Sequence, residues 1–134
     1  MYRVLIVDDY EPWRRKLRSI IEANGQWLLV AEAADGASAV EQARALRPDL
    51  TLLDVALPSL NGVEAAQRIL AENPASRILF LSEDRSCEIV DAAIATGARG
   101  YVVKADVAHE LLTAMEAVVG GRSFRSQSVR STDD

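Results

Sequence analysis

The sequence predicts an α/β fold, a (βα)5 doubly wound three-layer sandwich around a parallel five-stranded sheet. Two observations carry this reading. Short apolar runs rich in branched residues alternate with longer segments whose apolar residues recur at helical spacing, and five such pairs follow one another. Turn and stop signals separate them: Gly25, Asp35-Gly36, Pro48, Asn61-Gly62, Gly97 and Gly120-Gly121. A chain of 134 residues has the usual size of one domain and can bury one core with helices on both faces of a sheet.

Residues 3–7 read as the first strand, buried on both faces because Val4, Leu5, Ile6 and Val7 leave no polar alternation. Pro12 suits the first turn of a helix, where its missing N–H is not needed, and Trp13, Leu17, Ile20 and Ile21 form one stripe down to Gly25. Residues 27–33 read as the second strand, Asp35-Gly36 as a turn, and residues 37–46 as the second helix. Pro48 disfavours helical geometry just before it and ends that helix. Residues 50–54 give the third strand, Asn61-Gly62 a turn, and residues 64–73 the third helix. A fourth strand spans 78–82 and a fourth helix 86–96, closed by Gly97. Residues 101–104 form strand five and 107–119 the last helix. Right-handed crossovers on this repeat give the flavodoxin-like strand order 2-1-3-4-5. The domain is thus expected to occupy residues 1–121. Residues 122–134 change to Ser, Arg, Gln, Thr and Asp with only Phe124 and Val129 apolar, and are expected as a flexible tail or the start of a linker to an absent output domain.

The composition, 49% hydrophobic and 26% charged, is that of an ordinary globular chain. A formal net charge of -5 would repel a phosphate backbone, so direct nucleic-acid binding by these residues is not expected. The lone Cys87 cannot form an internal disulfide and fits a reducing compartment. Residues 1–7 are too short for a signal peptide and no apolar stretch approaches a membrane span, so a cytoplasmic protein without membrane contact is expected. His109 has no metal-ligand companion and reads as a surface residue.

In an open parallel sheet, ligands bind beyond the carboxyl ends of the strands where strand order reverses, here between strands one and three. Strand one ends in Asp8 and Asp9, strand three in Asp54, strand four in Ser82 and strand five in Lys104. Singly, each has a plain local explanation: an acidic pair caps the next helix, a serine serves a turn, a lysine is solvated. Those explanations do not account for all five converging on one rim. Three carboxylates there repel by roughly 4 kcal/mol per close pair at an effective dielectric near 20, so the cluster needs a cation. Oxygen ligands of high charge favour a hard ion, Mg2+ (or Mn2+), and Lys104 adds a fixed positive charge. A phosphoryl group on Asp54 would then meet the metal, the ammonium and the Ser82 hydroxyl.

These residues resemble the receiver domains of bacterial two-component response regulators over residues 2–121. The matching positions are Asp8 and Asp9, Asp54 followed by Leu57, Pro58 and Gly62, then Ser82, Tyr101 and Lys104. The resemblance implies that Asp54 is the phosphoacceptor, that Asp9 binds the metal directly and Asp8 through water, and that the main-chain carbonyl of Ala56 completes the protein's share. It implies that Lys104 binds the phosphate while Ser82 moves towards it and draws Tyr101 inwards. The stretch from Gly97 to Lys104 and the closing Gly120-Gly121-Arg122 are similar to the NarL/FixJ (LuxR-type) branch, whose members usually carry a helix-turn-helix DNA-binding domain. The partners implied are a histidine kinase and a second copy, meeting through the helix 4/strand 5/helix 5 face or through helices 1 and 5. The phosphorelay implied is autocatalytic and turns over no free substrate, so the chain is not expected to be an enzyme.

Three departures from the family pattern stand out. Glu83 follows Ser82 where a small residue is common, Ala105 replaces the proline that often follows the lysine, and Leu57 replaces methionine. Glu83 is the sole support for the alternative, a phosphorylation-independent receiver acting as an interaction module. A haloacid dehalogenase-type phosphohydrolase would need an acid where Ala56 stands, and a flavin-binding module would need a Ser/Thr/Gly-rich loop after strand one; neither is present.

Overall fold

The computed structural model describes residues 1–129. Strands β1 (Tyr2–Val7), β2 (Trp27–Ala33), β3 (Leu50–Asp54), β4 (Ile78–Ser82), β5 (Gly100–Val103) and β6 (Phe124–Arg125) form one sheet of order β2-β1-β3-β4-β5-β6. Every neighbouring pair is parallel. The helices between them are α1 (Glu11–Glu22), α2 (Gly36–Leu46), α3 (Gly62–Glu72), α4 (Cys87–Ile94) and α5 (Val107–Val119), the last preceded by a 3-10 turn at Lys104–Asp106.

Alternation along the strands splits the core into two layers. Val4, Ile6, Leu50, Leu52, Leu79, Leu81 and Val102 pack with Leu17 and Ile21 of α1 and Leu111, Met115 and Val118 of α5. Leu5, Val7, Leu53, Phe80, Tyr101 and Val103 face the other way, onto α2, α3 and α4. All five residues of β3 are buried, as are those of β4. This two-sided burial is why the central strands read as unbroken apolar runs. Among the described residues no helix is long and apolar enough to cross a membrane.

Helices α2, α3 and α4 begin at side-chain caps. Asp35 accepts from Ser38 N at 2.8 Å, Asn61 from Glu64 N at 2.9 Å, and Ser86 from Ile89 N at 3.4 Å. Asp35-Gly36 and Asn61-Gly62, expected as turns, are each the cap and first residue of a helix. Their glycines are demanded by close approach: a Cβ on Gly36 would lie 1.8 Å from the Leu60 carbonyl oxygen, and one on Gly62 would lie 2.0 Å from that of Asp54. The α2 helix closes on Arg47, a non-glycine residue in the left-handed region at φ 45°, and Pro48 follows, where the helix cannot continue.

Two further expectations change. Lys104 lies one residue beyond β5, at the head of the 3-10 turn rather than in the strand. The segment after residue 121, expected as a tail, returns to the sheet. Phe124 N donates to Arg99 O at 3.0 Å and Ser126 N to Tyr101 O at 2.9 Å, making β6 a sixth strand on the β5 edge. Ser126 is buried, its hydroxyl accepting from Val103 N at 2.9 Å and donating to Glu110 Oε2 at 2.6 Å. Two residues suffice because the edge amides and carbonyls of β5 are otherwise unpaired. The last part of the expected tail, 130–134, lies outside the described residues.

Candidate phosphoacceptor and metal site

The five polar residues read at the strand ends meet in one cleft of about 730 Å³ at the carboxyl edge of the sheet, shared with Ala56. Asp8 and Asp54 are buried, 1% and 5% exposed, while Asp9 is open to solvent. One carboxylate oxygen from each of Asp8, Asp9 and Asp54 lies within 4.8 Å of the others. Three acidic oxygens at that spacing, two of them buried, fit a hard divalent ion with open positions for water or a phosphate oxygen. They fit poorly with any account lacking a cation, since each close pair repels by roughly 3 to 4 kcal/mol at an effective dielectric near 20.

Local structure fixes two of the three carboxylates. Asp8 Oδ1 accepts from Tyr10 N at 2.9 Å, and Asp54 Oδ1 from Ala56 N at 3.3 Å, so both chains fold back over their own strand ends. Arg14 Nη1 donates to the Asp8 carbonyl at 2.7 Å and tethers the start of α1 to the rim. The helix-cap explanation for the acidic pair fails here. The residue before α1 is Tyr10, with no side-chain cap, and the second oxygen of Asp8 turns inward to Lys104.

Lys104 Nζ lies 2.7 Å from Asp8 Oδ2 and 3.3 Å from Asp54 Oδ2. Its side chain is only 14% exposed, so it is not a solvated lysine. Burial would lower its pKa, but the hydrogen bond to Asp8 and the charges of Asp54 and Asp8 outweigh burial and raise it. Asp54 goes the other way from an ordinary carboxylate. Burial is the main cause, opposed by the Lys104 charge and reinforced by Asp8, and its pKa is pushed up to about 6.

Ser82 is buried at the end of β4, and its Oγ accepts from Asp84 N at 3.1 Å. The plain turn role is thus real, and the Ser82 side chain also hydrogen-bonds the Tyr101 hydroxyl, a contact that lowers the tyrosine's pKa against the effect of burial. Tyr101 is fully buried in β5, its hydroxyl donating to the Asp84 carbonyl at 2.9 Å, and burial raises its pKa. Glu83 is exposed and lines the cleft; Ala105 is exposed, and no peptide bond among the described residues is cis. Exposed His109 lies away from the cleft residues, and Cys87, half-buried, opens α4.

One participant was not foreseen. The Asp84 carbonyl that holds Tyr101 is a main-chain atom, which leaves no mark in the sequence. The Trp13 ring lies with its centroid 5.1 Å from Lys104 Nζ. Its place on α1 near the acidic rim was legible in the sequence, but not that the ring covers the Lys104 ammonium.

A profile of the response regulator receiver domain matches residues 4–116. Protein CcdB of Bacillus subtilis (strain 168) is 37% identical over 120 residues, 90% of this chain and 99% of that protein. The DNA-binding transcriptional activator DevR/DosR of Mycobacterium tuberculosis is 41% identical over 124 residues, covering 92% of this chain but 57% of its own length. The chain spans about half the length of most of the curated transcriptional regulators it matches. Among solved structures, a LuxR-family two-component response regulator from Aurantimonas sp. SI85-9A1 superposes with a TM-score of 0.93 at 34% identity, covering 96% of this chain and 92% of that one. A parallel sheet of this order, an acidic cluster with a buried lysine at its carboxyl edge, and these likenesses lead to one statement: the chain belongs to the response regulator receiver domains of two-component signalling, in their NarL/FixJ (LuxR-type) branch.

Proposed function

We propose that this domain accepts a phosphoryl group on Asp54 from a histidine kinase and uses the modification to switch a partner-binding face. The single observation that carries the proposal is the Lys104 ammonium bridging Asp8 and Asp54 beside the unpaired carboxylate of Asp9. Asp8, Asp9, Asp54 and the Ala56 carbonyl would hold Mg2+, which when bound supplies charge neutralisation for the incoming phosphoryl oxygens. An Asp54 oxygen attacks phosphorus, the bond from phosphorus to the donor's leaving group breaks, and the leaving group departs with its electron pair. Lys104 stabilises the negative charge on the equatorial oxygens, and Ser82 donates a hydrogen bond to one of them. Water later cleaves the acyl phosphate and restores the carboxylate.

The cluster's chemistry supports these roles. A carboxylate whose burial and acidic neighbour raise its pKa is a more basic nucleophile than an exposed one, and the negative charge of the phosphoryl group it acquires would be met by Lys104 and a bound cation. The shift of Ser82 towards the phosphate would release Asp84 N and disturb the Asp84 carbonyl that anchors Tyr101, so the site would report to the face of α4, β5 and α5 through one short loop. Segment 124–129 lies along that face. Control of a helix-turn-helix output domain in a longer, cytoplasmic protein is part of the same proposal, supported by the likeness to a longer DNA-binding transcriptional activator, and a homodimer through that face or through α1 and α5 is proposed with it.

The test is labelling with acetyl phosphate and Mg2+. Wild-type protein should gain one acid-stable, hydroxylamine-labile phosphoryl group, and Asp54→Asn should gain none while keeping its circular dichroism spectrum. Labelling that survives in Asp54→Asn would move the acceptor elsewhere.

A further inference from the structure

The geometry points to Trp13 as a positioning residue for phosphoryl transfer, its ring holding the Lys104 ammonium at the rim when the two carboxylates that otherwise anchor it change partners. The inference rests on the phosphoacceptor reading of Asp54 and goes further, to a residue that the shared pattern of receiver domains does not include.

The problem it answers is one of anchoring. Lys104 reaches the cleft on a flexible four-carbon stem from the head of a 3-10 turn, and its ammonium donates to Asp8 and Asp54. Both acceptors belong to the cluster that a divalent ion would recruit, and once an Asp54 oxygen is esterified the negative charge passes from its carboxylate to the phosphoryl oxygens. At the moment when the ammonium must face the phosphoryl oxygens, its two anchors are the groups being reassigned. An aromatic ring has no such conflict, because it neither titrates nor ligates a hard cation, and its negative face attracts an ammonium at all stages.

Trp13 is placed for this. It sits one turn into α1, half-buried and packed against the α1/α5 side of the core, with its ring centroid 5.1 Å from Lys104 Nζ. Its indole nitrogen is buried without a hydrogen-bond partner, so packing alone orients the ring. Lys16 Nζ lies at the same 5.1 Å from that centroid, but Lys16 is exposed whereas the Lys104 side chain is 14% exposed. Cation–π attraction grows as the ion is desolvated, so the ring favours the buried ammonium. Trp13, Lys16, Glu83, Arg85 and Lys104 line a second opening beside the acidic cleft, joined to it through Lys104 and Glu83.

Two measurements test this. The first is the labelling rate at saturating acetyl phosphate and Mg2+ in wild type, Trp13→Phe and Trp13→Leu. Removing a contact of this class should slow Trp13→Leu about 3- to 10-fold, mainly in the maximal rate rather than in the half-saturating donor concentration. Trp13→Phe, which restores an aromatic face, should recover at least half of the loss. Equal rates in wild type and Trp13→Leu, or a Phe variant no better than Leu, would overturn the inference. The second measurement needs no transfer and no variant to fold: the ring-current shift of the Lys104 ε-methylene protons in wild-type protein, by NMR. It should be present in the free protein and persist when beryllofluoride and Mg2+ occupy the site. Its loss on their addition would show that the ring releases the lysine and would end the proposal. Failure of wild-type protein to label at Asp54 would instead remove the phosphoacceptor reading, and this inference with it, whereas a labelled wild type with an indifferent Trp13→Leu removes the inference alone.

Discussion

At neutral pH and without divalent ions, the Asp54 carboxylate is a charge that the fold holds in an unfavourable place. Burial and the neighbouring Asp8 raise its pKa to about 6 despite Lys104, against 3.8 for the unperturbed group. The sign follows from proton binding. Between about pH 4 and pH 6 the unfolded chain has given up the Asp54 proton while the native protein keeps it, so stability from this group falls as pH rises through that window. Two units correspond to about 3 kcal/mol as an upper bound, and solvent at the mouth of the cleft reduces this to about 1 to 2 kcal/mol. Asp54→Asn keeps the shape and the acceptor for Ala56 N but removes the charge, and Lys104 retains Asp8. The variant should therefore be more stable than wild type by about 1 to 2 kcal/mol at neutral pH, or roughly 4 °C per kcal/mol for a domain of this size. The advantage should vanish near pH 4. Urea unfolding of both proteins across that range in EDTA measures it. Millimolar Mg2+ should then narrow the gap, because ion binding to the native state stabilises wild type more than the variant. A variant less stable than wild type at neutral pH, or a gap that ignores pH, would refute the account of Asp54 as a desolvated charge.

Gly62→Ala should destabilise by about 3 kcal/mol or more and abolish labelling, because its Cβ would lie 2.0 Å from the Asp54 carbonyl oxygen and displace the acceptor strand; thermal unfolding and labelling check this together. Ser126→Ala should lose about 1 to 3 kcal/mol, since it leaves Val103 N without its acceptor and Glu110 without its hydroxyl partner at a buried position; faster amide exchange at Val103 would localise the effect. Glu83→Gln should raise the acetyl phosphate labelling rate roughly twofold, the scale expected for removing an exposed like charge several ångströms from the entering phosphate; an unchanged rate would show that the Glu83 carboxylate does not oppose entry of the phosphate.

The sequence was legible wherever one physical cause dominated. Strands β2, β3 and β4 and helix α5 fall on their expected bounds, because burial on one or both faces writes itself into the apolar pattern. The convergence of Asp8, Asp9, Asp54, Ser82 and Lys104 followed from connectivity alone. Boundaries moved where tertiary contact outweighed local propensity: Gly36 and Gly62 look like turn residues but open helices, since both are glycine for want of space rather than for conformational freedom. Lys104 was read as strand because the apolar run ahead of it continues to Val103. The β6 pairing could not be read, since Phe124-Arg125 is too short to show a period and its partner residues on β5, Gly100 and Tyr101, lie 24 residues back along the chain. Trp13 over Lys104 is a meeting of two elements whose side chains only the fold brings together.

The segment that turns back at Phe124 leaves the sheet with two unlike flanks. On one side the outermost long strand has its backbone groups taken by residues 124–126, with Arg125 reaching Asp91 of α4, so the edge left there is that of a two-residue strand. On the other side β2 pairs only with β1, Leu28 is 47% exposed, and Glu32 is engaged by Arg14 and Arg18 of α1. Among the described residues a long sheet edge open to strand-to-strand pairing therefore remains at β2, flanked by the ion pairs of Glu32 with α1.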